Sequence, residues 1–145
     1  MPAAKHDITV DQGATFKLFL EYQTKGSTGI NLDEYGAQFQ VRRYSSTDNL
    51  LLDILGDTIG GNVFGGGSTG YFSLGNGVQG TGGMTLNSGP TGQYGQNGGI
   101  YIQVDANTMK NLPEGRHFYN FELIKDDEIY RILQGRFEVI PEIVR

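Results

Sequence analysis

Arg116-His117-Phe118-Tyr119-Asn120-Phe121-Glu122-Leu123-Ile124-Lys125 is the stretch on which the fold turns. His117, Tyr119, Phe121 and Leu123 fall on one face, and Phe118, Asn120, Glu122 and Ile124 on the other. A period of two marks a strand, because successive side chains point to opposite sides of a sheet. Asp126-Asp127-Glu128 then reads as a hairpin turn, where short acidic side chains accept local backbone N–H bonds. Ile129–Ile140 is the returning strand. Its alternation slips at Gln134-Gly135, where a β-bulge would restore Phe137 and Val139 to the core face.

The same period recurs upstream. In Ala14–Gln23 one face carries Phe16, Leu18, Leu20 and Tyr22, and the other carries Thr15, Lys17, Phe19 and Glu21. Before it, Asp7–Val10 reads as a short edge strand, and Asp11-Gln12-Gly13 lets the chain cross between sheets. Ala37–Tyr44 alternates with Ala37, Phe39 and Val41 inward. Leu50–Ile54, Tyr71–Leu74, Gly83–Leu86 and Ile100–Val104 are shorter strands, the last with Ile100, Ile102 and Val104 inward and Tyr101 outward. The one helical candidate is Asp105–Leu112, capped by Asp105, anchored by Met109 and Leu112, and stopped by Pro113-Glu114-Gly115. About seven strands without regular helices predict an all-β fold, an antiparallel β-sandwich, with a small closed barrel as the alternative.

The 145 residues fit one domain, 1–145, since about 100–200 residues is the usual domain size. Glycine is unevenly placed. Residues 56–99 hold 17 of the 23 glycines, and Asp57 is their only charge. This block reads as a long glycine-rich insertion. Val63, Phe64, Tyr71, Phe72 and Tyr94 make it too apolar for a solvated tether. An ordered projection and an arm that orders against partner subunits remain, and the uncharged composition favours the arm.

Composition excludes several functions. Without Cys there is no disulfide scaffold, thiolate metal site or cysteine nucleophile. A pI near 4.9 argues against a phosphate-backbone binder, so no nucleic-acid partner is expected. No apolar run approaches roughly 18 residues, and Met1–Asp7 lacks an apolar signal core, so neither a membrane partner nor a cleavable address is expected. Gly75-Asn76-Gly77-Val78-Gln79-Gly80 matches a dinucleotide fingerprint but has no following helix. The acids at Asp126–Glu128 are consecutive, where a calcium loop alternates them. His117 reads as a hydrogen-bonded histidine at the rim of the core. No nucleophile elbow or metal spacing appears, so no enzyme, cofactor or metal is expected.

Apolar residues on polar faces are more telling. Phe19, Phe118 and Ile124 each point away from a predicted core. With Phe64, Tyr71, Phe72 and Tyr94 of the glycine-rich block, and Ile143 and Val144 of the tail 141–145, they form the candidate assembly contacts.

Four pieces together resemble a family of small tailed-phage virion proteins. They are Asp7–Phe16 (Asp-Ile-Thr-Val-Asp-Gln-Gly-Ala-Thr-Phe), Ala37–Arg43, Leu112-Pro113-Glu114-Gly115-Arg116 and Arg131–Val139. The family is similar to the amino-terminal domain of phage baseplate upper proteins. The resemblance implies an immunoglobulin-like β-sandwich and a structural role in a virion, as a building block or adaptor in the tail, neck or baseplate. It implies a homo-oligomer or ring, with other phage structural proteins as partners, made in the host cytoplasm. Capsid decoration is one alternative. A carbohydrate-binding module for host attachment, stacking sugars on Tyr35, Tyr71, Tyr94 and Tyr101, is another.

Overall fold

The computed structural model of the chain describes residues 4–23, 26, 28–32, 35–43, 50–57, 71–73, 82–90, 95–125 and 128–141. Among them run ten strands and one helical turn: β1 (Ala4–Lys5), β2 (Ile8–Asp11), β3 (Phe16–Glu21), β4 (Gly36–Arg42), β5 (Leu50–Asp57), β6 (Tyr71–Ser73), β7 (Gly82–Leu86), β8 (Gly99–Val104), α1 (Ala106–Met109), β9 (Gly115–Lys125) and β10 (Glu128–Ile140). Seven strands form one sheet, in the order β1-β10-β9-β4-β5-β6, with β2 also on β10; β3-β8-β7 form the second. The fold is all-β, a sandwich of two unequal sheets, as the alternation predicts.

The pairing is mixed rather than purely antiparallel. β1 and β2 run parallel to β10. Chain order explains it: β2 leaves for the opposite sheet at Gly13 and never folds back on its neighbour as a hairpin must. Gly13 sits at φ 84, in the left-handed region that favours glycine. The Gln12 side chain donates to the Leu112 carbonyl at 2.8 Å. His117 Nε2 donates to the Pro113 carbonyl at 2.7 Å, so the helical turn and the crossover are tied to the sheet together.

The core lies between the sheets. Phe39, Phe121, Phe137, Leu52 and Ile54 from the large sheet meet Phe16, Met84, Leu86, Ile100, Ile102 and Val104 from the small one. Phe16 packs edge-on to Phe137 with centroids 5.4 Å apart, and Phe39 stacks on Tyr119 at 5.3 Å. Such pairs add about 0.5–1.5 kcal/mol each beyond the area they bury. Met109 and Leu112 close one end, both buried.

Two local expectations are corrected. The bulge lies between Arg131 and Leu133, not at Gln134-Gly135. Either position restores Phe137 and Val139 to the core, so periodicity alone does not separate them. Gly135 has another cause: a Cβ there would stand 2.3 Å from the His6 carbonyl, so glycine lets the amino-terminal strand lie against β10. Asp105 makes no side-chain cap; its carbonyl instead accepts the N–H groups of Thr108 and Met109.

Part of the glycine-rich block belongs to the two sheets. Its described parts supply β6 to the large sheet and β7 and the first residue of β8 to the small one. The chain after β7 is gathered on Asn87, which is buried at φ 54. Its side-chain oxygen accepts the N–H groups of Leu32 (2.9 Å) and Gly98 (3.1 Å), and its amide donates to Asn31 at 2.9 Å. Its carbonyl accepts the N–H groups of Gly95 and Gln96. A Cβ on Gly99 would stand 1.6 Å from the Ser88 carbonyl. Residues 58–70, 74–81 and 91–94 lie outside the described residues.

Candidate functional site

The outer face of the large sheet is built by alternation in β4, β9 and β10, whose inward residues are fixed by the core. Register then sets which outward residues meet. Arg42, Phe118 and Arg136 form one cross-strand row. Gln40, Asn120 and Gln134 form the next, extended by Lys5 of β1. Ile124 and Ile129 stand opposite each other near the hairpin end.

Phe118 is 40 % exposed, which upholds its outward placement. Ile124 is half-buried, beside an Ile129 that is 63 % exposed. Phe19 is half-buried on the other sheet, with its ring edge beside Gly99, and its register partner is Tyr101. Tyr101 points outward but is buried, its hydroxyl donating to Gln103 at 2.9 Å. Tyr71 and Phe72 are positions of β6, paired with Leu55 and Ile54. Phe64, Tyr94, Ile143 and Val144 lie outside the described residues. The predicted contacts are thus spread over both sheets, and Phe19 and Phe118 face opposite sides of the sandwich.

Sequence reading missed two exposed large apolar residues, Ile129 and Tyr130. They stand in Glu128–Ile132, the part of β10 that among the described residues pairs only with β9. β1 reaches β10 at Leu133 and β2 at Phe137, so among the described residues the first five residues of β10 have no strand on the side away from β9. Open edges are templates for adding a strand. The Tyr130 hydroxyl donates to the Glu128 carboxylate at 2.7 Å, and that bond holds the phenol above its ordinary pKa. The side chains are thereby set along the edge. The signal was present: Ile129 follows an acidic turn on the outward phase of its strand.

Beside this edge is a shallow groove of about 460 Å³, which is within the volume range of small-ligand clefts. Lys5, Arg42, Arg131 and Arg136 line it with Phe118 and Asn120, and Asp7 is the one carboxylate among the described residues that line it. Arg131 pairs with Glu122 at 3.0 Å, and Arg42 reaches Gln40 at 3.4 Å. Asp7 accepts the backbone N–H of Arg136 at 3.0 Å. The Tyr119 hydroxyl donates to the His6 carbonyl at 2.6 Å; burial first, and then the Asp7 charge, push its pKa up to about 12. Three segments far apart in sequence make the groove, so no motif announces it.

Among the described residues no group of three His, Asp or Glu side chains is placed to hold a metal ion, and no helix is long and apolar enough to cross a membrane. No family model matches the chain, and no curated protein sequence matches it.

Proposed function

We propose that this chain is a structural building block or adaptor of a tailed-phage particle, in the tail, neck or baseplate, and that its sandwich is of the immunoglobulin-like kind. The observation that carries the assembly part is the exposure of Ile129, 63 %, and of Tyr130 beside it, on the stretch Glu128–Ile132 that among the described residues pairs only with β9. A neighbouring subunit adds a strand there, giving backbone hydrogen bonds along the edge and burying both side chains. The particle itself comes from the resemblance. Its four pieces fall on β2, β4, the Leu112–Arg116 turn and β10, which are neighbours in and around the large sheet. Capsid decoration fits the same edge with a different partner.

The carbohydrate reading finds less support. Tyr35 is half-buried with the Lys125 ammonium 5.2 Å from its ring centre, and Tyr101 is buried. Neither offers an open ring for a sugar.

Light scattering on the purified chain at micromolar concentration tests the proposal, together with mass spectrometry of purified particles. We expect a defined oligomer, weakened at least about tenfold by Ile129→Lys, because a buried apolar contact would become an unpaired charge. A strict monomer that is also absent from particles would sink the reading.

A further inference from the structure

The basic groove calls for a ligand of its own. The chain carries 16 acidic and 11 basic residues, yet four of the bases converge on this one groove, with Asp7 the single acid among the described residues that line it. Lys5 and Arg136 form no side-chain ion pair among the described residues. Asn120 and Gln134, adjacent in register and half-buried, make no side-chain hydrogen bond among them either. Like charges gathered with idle amides lower their energy when an anion with donors and acceptors docks.

We propose that the groove docks an acidic polypeptide segment of a neighbouring subunit. This rests on the assembly reading above for the source of the segment. Arg42 and Arg136 flank Phe118 in one cross-strand row, and adjacent strands lie about 4.8 Å apart, so the two arginine stems rise about 10 Å apart. The planar guanidinium fork of Arg136 takes one carboxylate of an extended segment, and the ammonium of Lys5, on the adjacent strand opposite Gln134, takes a second. The Asn120 and Gln134 amides offer both donors and acceptors, which a peptide backbone matches. Phe118 offers the apolar contact between the charges.

A nucleic-acid strand fits worse. Its charge repeats along its whole length and continues past the groove. Beyond the charged residues that line the groove among the described ones, the chain has seven basic against fifteen acidic residues of its 11 and 16. That surface repels a polyanion and tolerates a short acidic segment.

The test uses the full chain and a fluorescein-labelled poly-L-glutamate of roughly six residues, about 20 Å when extended and so short enough to stay within the groove, read by anisotropy at about 25 mM salt, where surface charges are weakly screened. Binding should weaken at least about tenfold in Lys5→Gln/Arg136→Gln, and on raising the salt to about 200 mM. Lys17→Gln/Lys110→Gln removes the same charge from outside the groove, and its affinity should stay within about twofold of the parent. All three proteins should melt within a few degrees of one another. The proposal fails if poly-L-glutamate does not bind, or if the control pair weakens binding as much as the groove pair. It also fails if labelled polygalacturonate or oligodeoxythymidylate of equal length binds more tightly, which would assign the groove to a glycan or a nucleic acid. Poly-L-glutamate binding by a strict monomer absent from particles would remove the assembly reading and leave the groove standing. An oligomer found in particles but blind to poly-L-glutamate would do the reverse.

Discussion

The chain from β7 to β8 and the β9–β10 hairpin are built by opposite means. The first is rich in glycine and free of charge, yet among the described glycines its Gly99 stands nearest to another stretch of backbone. Gly98 and Gly99 are buried, with Cβ positions 2.4 Å from the Tyr22 carbonyl and 1.6 Å from the Ser88 carbonyl. The hairpin is regular, long and charged, and it carries the exposed Ile129 and Tyr130 and the groove. Glycine here marks where backbones must touch, not where the chain is loose. The surface with unmet contacts lies instead where ordinary side chains alternate.

This contrast breaks most directly at Gly99. Gly99→Ala sets a methyl group into the Ser88 carbonyl, and because that nearest group is backbone, no side-chain rotamer can yield to it. We expect a loss of about 4 kcal/mol or more, enough to unfold a marginal domain, measured by urea denaturation. A change under about 1 kcal/mol would mean the glycine-rich part is as pliable as its composition suggests.

Asn87→Ala sharpens the same side. It strands the buried Leu32 and Gly98 N–H groups and places alanine at a positive φ. Each lost buried bond costs about 1–3 kcal/mol, so a loss of about 2–4 kcal/mol is expected. Asn87→Gly relieves the backbone and should recover a few tenths to about 1 kcal/mol of it. Equal destabilisation by both would show that the hydrogen bonds alone matter.

The strands were legible because one face of each is buried, and burial writes a period of two into the sequence. That gave β3, β4, β9 and β10 and the inward set Phe16, Phe39, Phe121 and Phe137. Gly135 shows where the reading stopped. A glycine that admits a neighbouring strand and a glycine in a bulge look alike without the partner, and the partner, His6, is more than a hundred residues away. The groove was hidden for the same reason. The outward phase of Arg42, Phe118 and Arg136 could be read, but their shared row needs the register of three strands. Ile129 was visible as outward. Its exposure was not, because it depends on where β1 begins to pair along β10.

The smallest effect falls on the hairpin side, at Tyr119. Its hydroxyl reaches past Gly135 to the His6 carbonyl, so Tyr119→Phe removes one hydrogen bond, about 1 kcal/mol at neutral pH. The phenol ionises near 10 when unfolded and at about 12 in the fold. The folded state therefore keeps its proton longer. The stability this residue contributes is fully present below pH 10 and is lost as pH rises through 12. Urea midpoints at intervals from pH 8 upward should show parent and Tyr119→Phe apart at first, then converging above pH 10. Other tyrosines, Tyr130 among them, slope both curves alike and cancel in the difference. A gap that stays constant to pH 12 would mean the hydroxyl is solvated at the groove's rim rather than held between β9 and the amino-terminal strand, and the hairpin's inner side would then be looser than the glycine-rich part it is compared with.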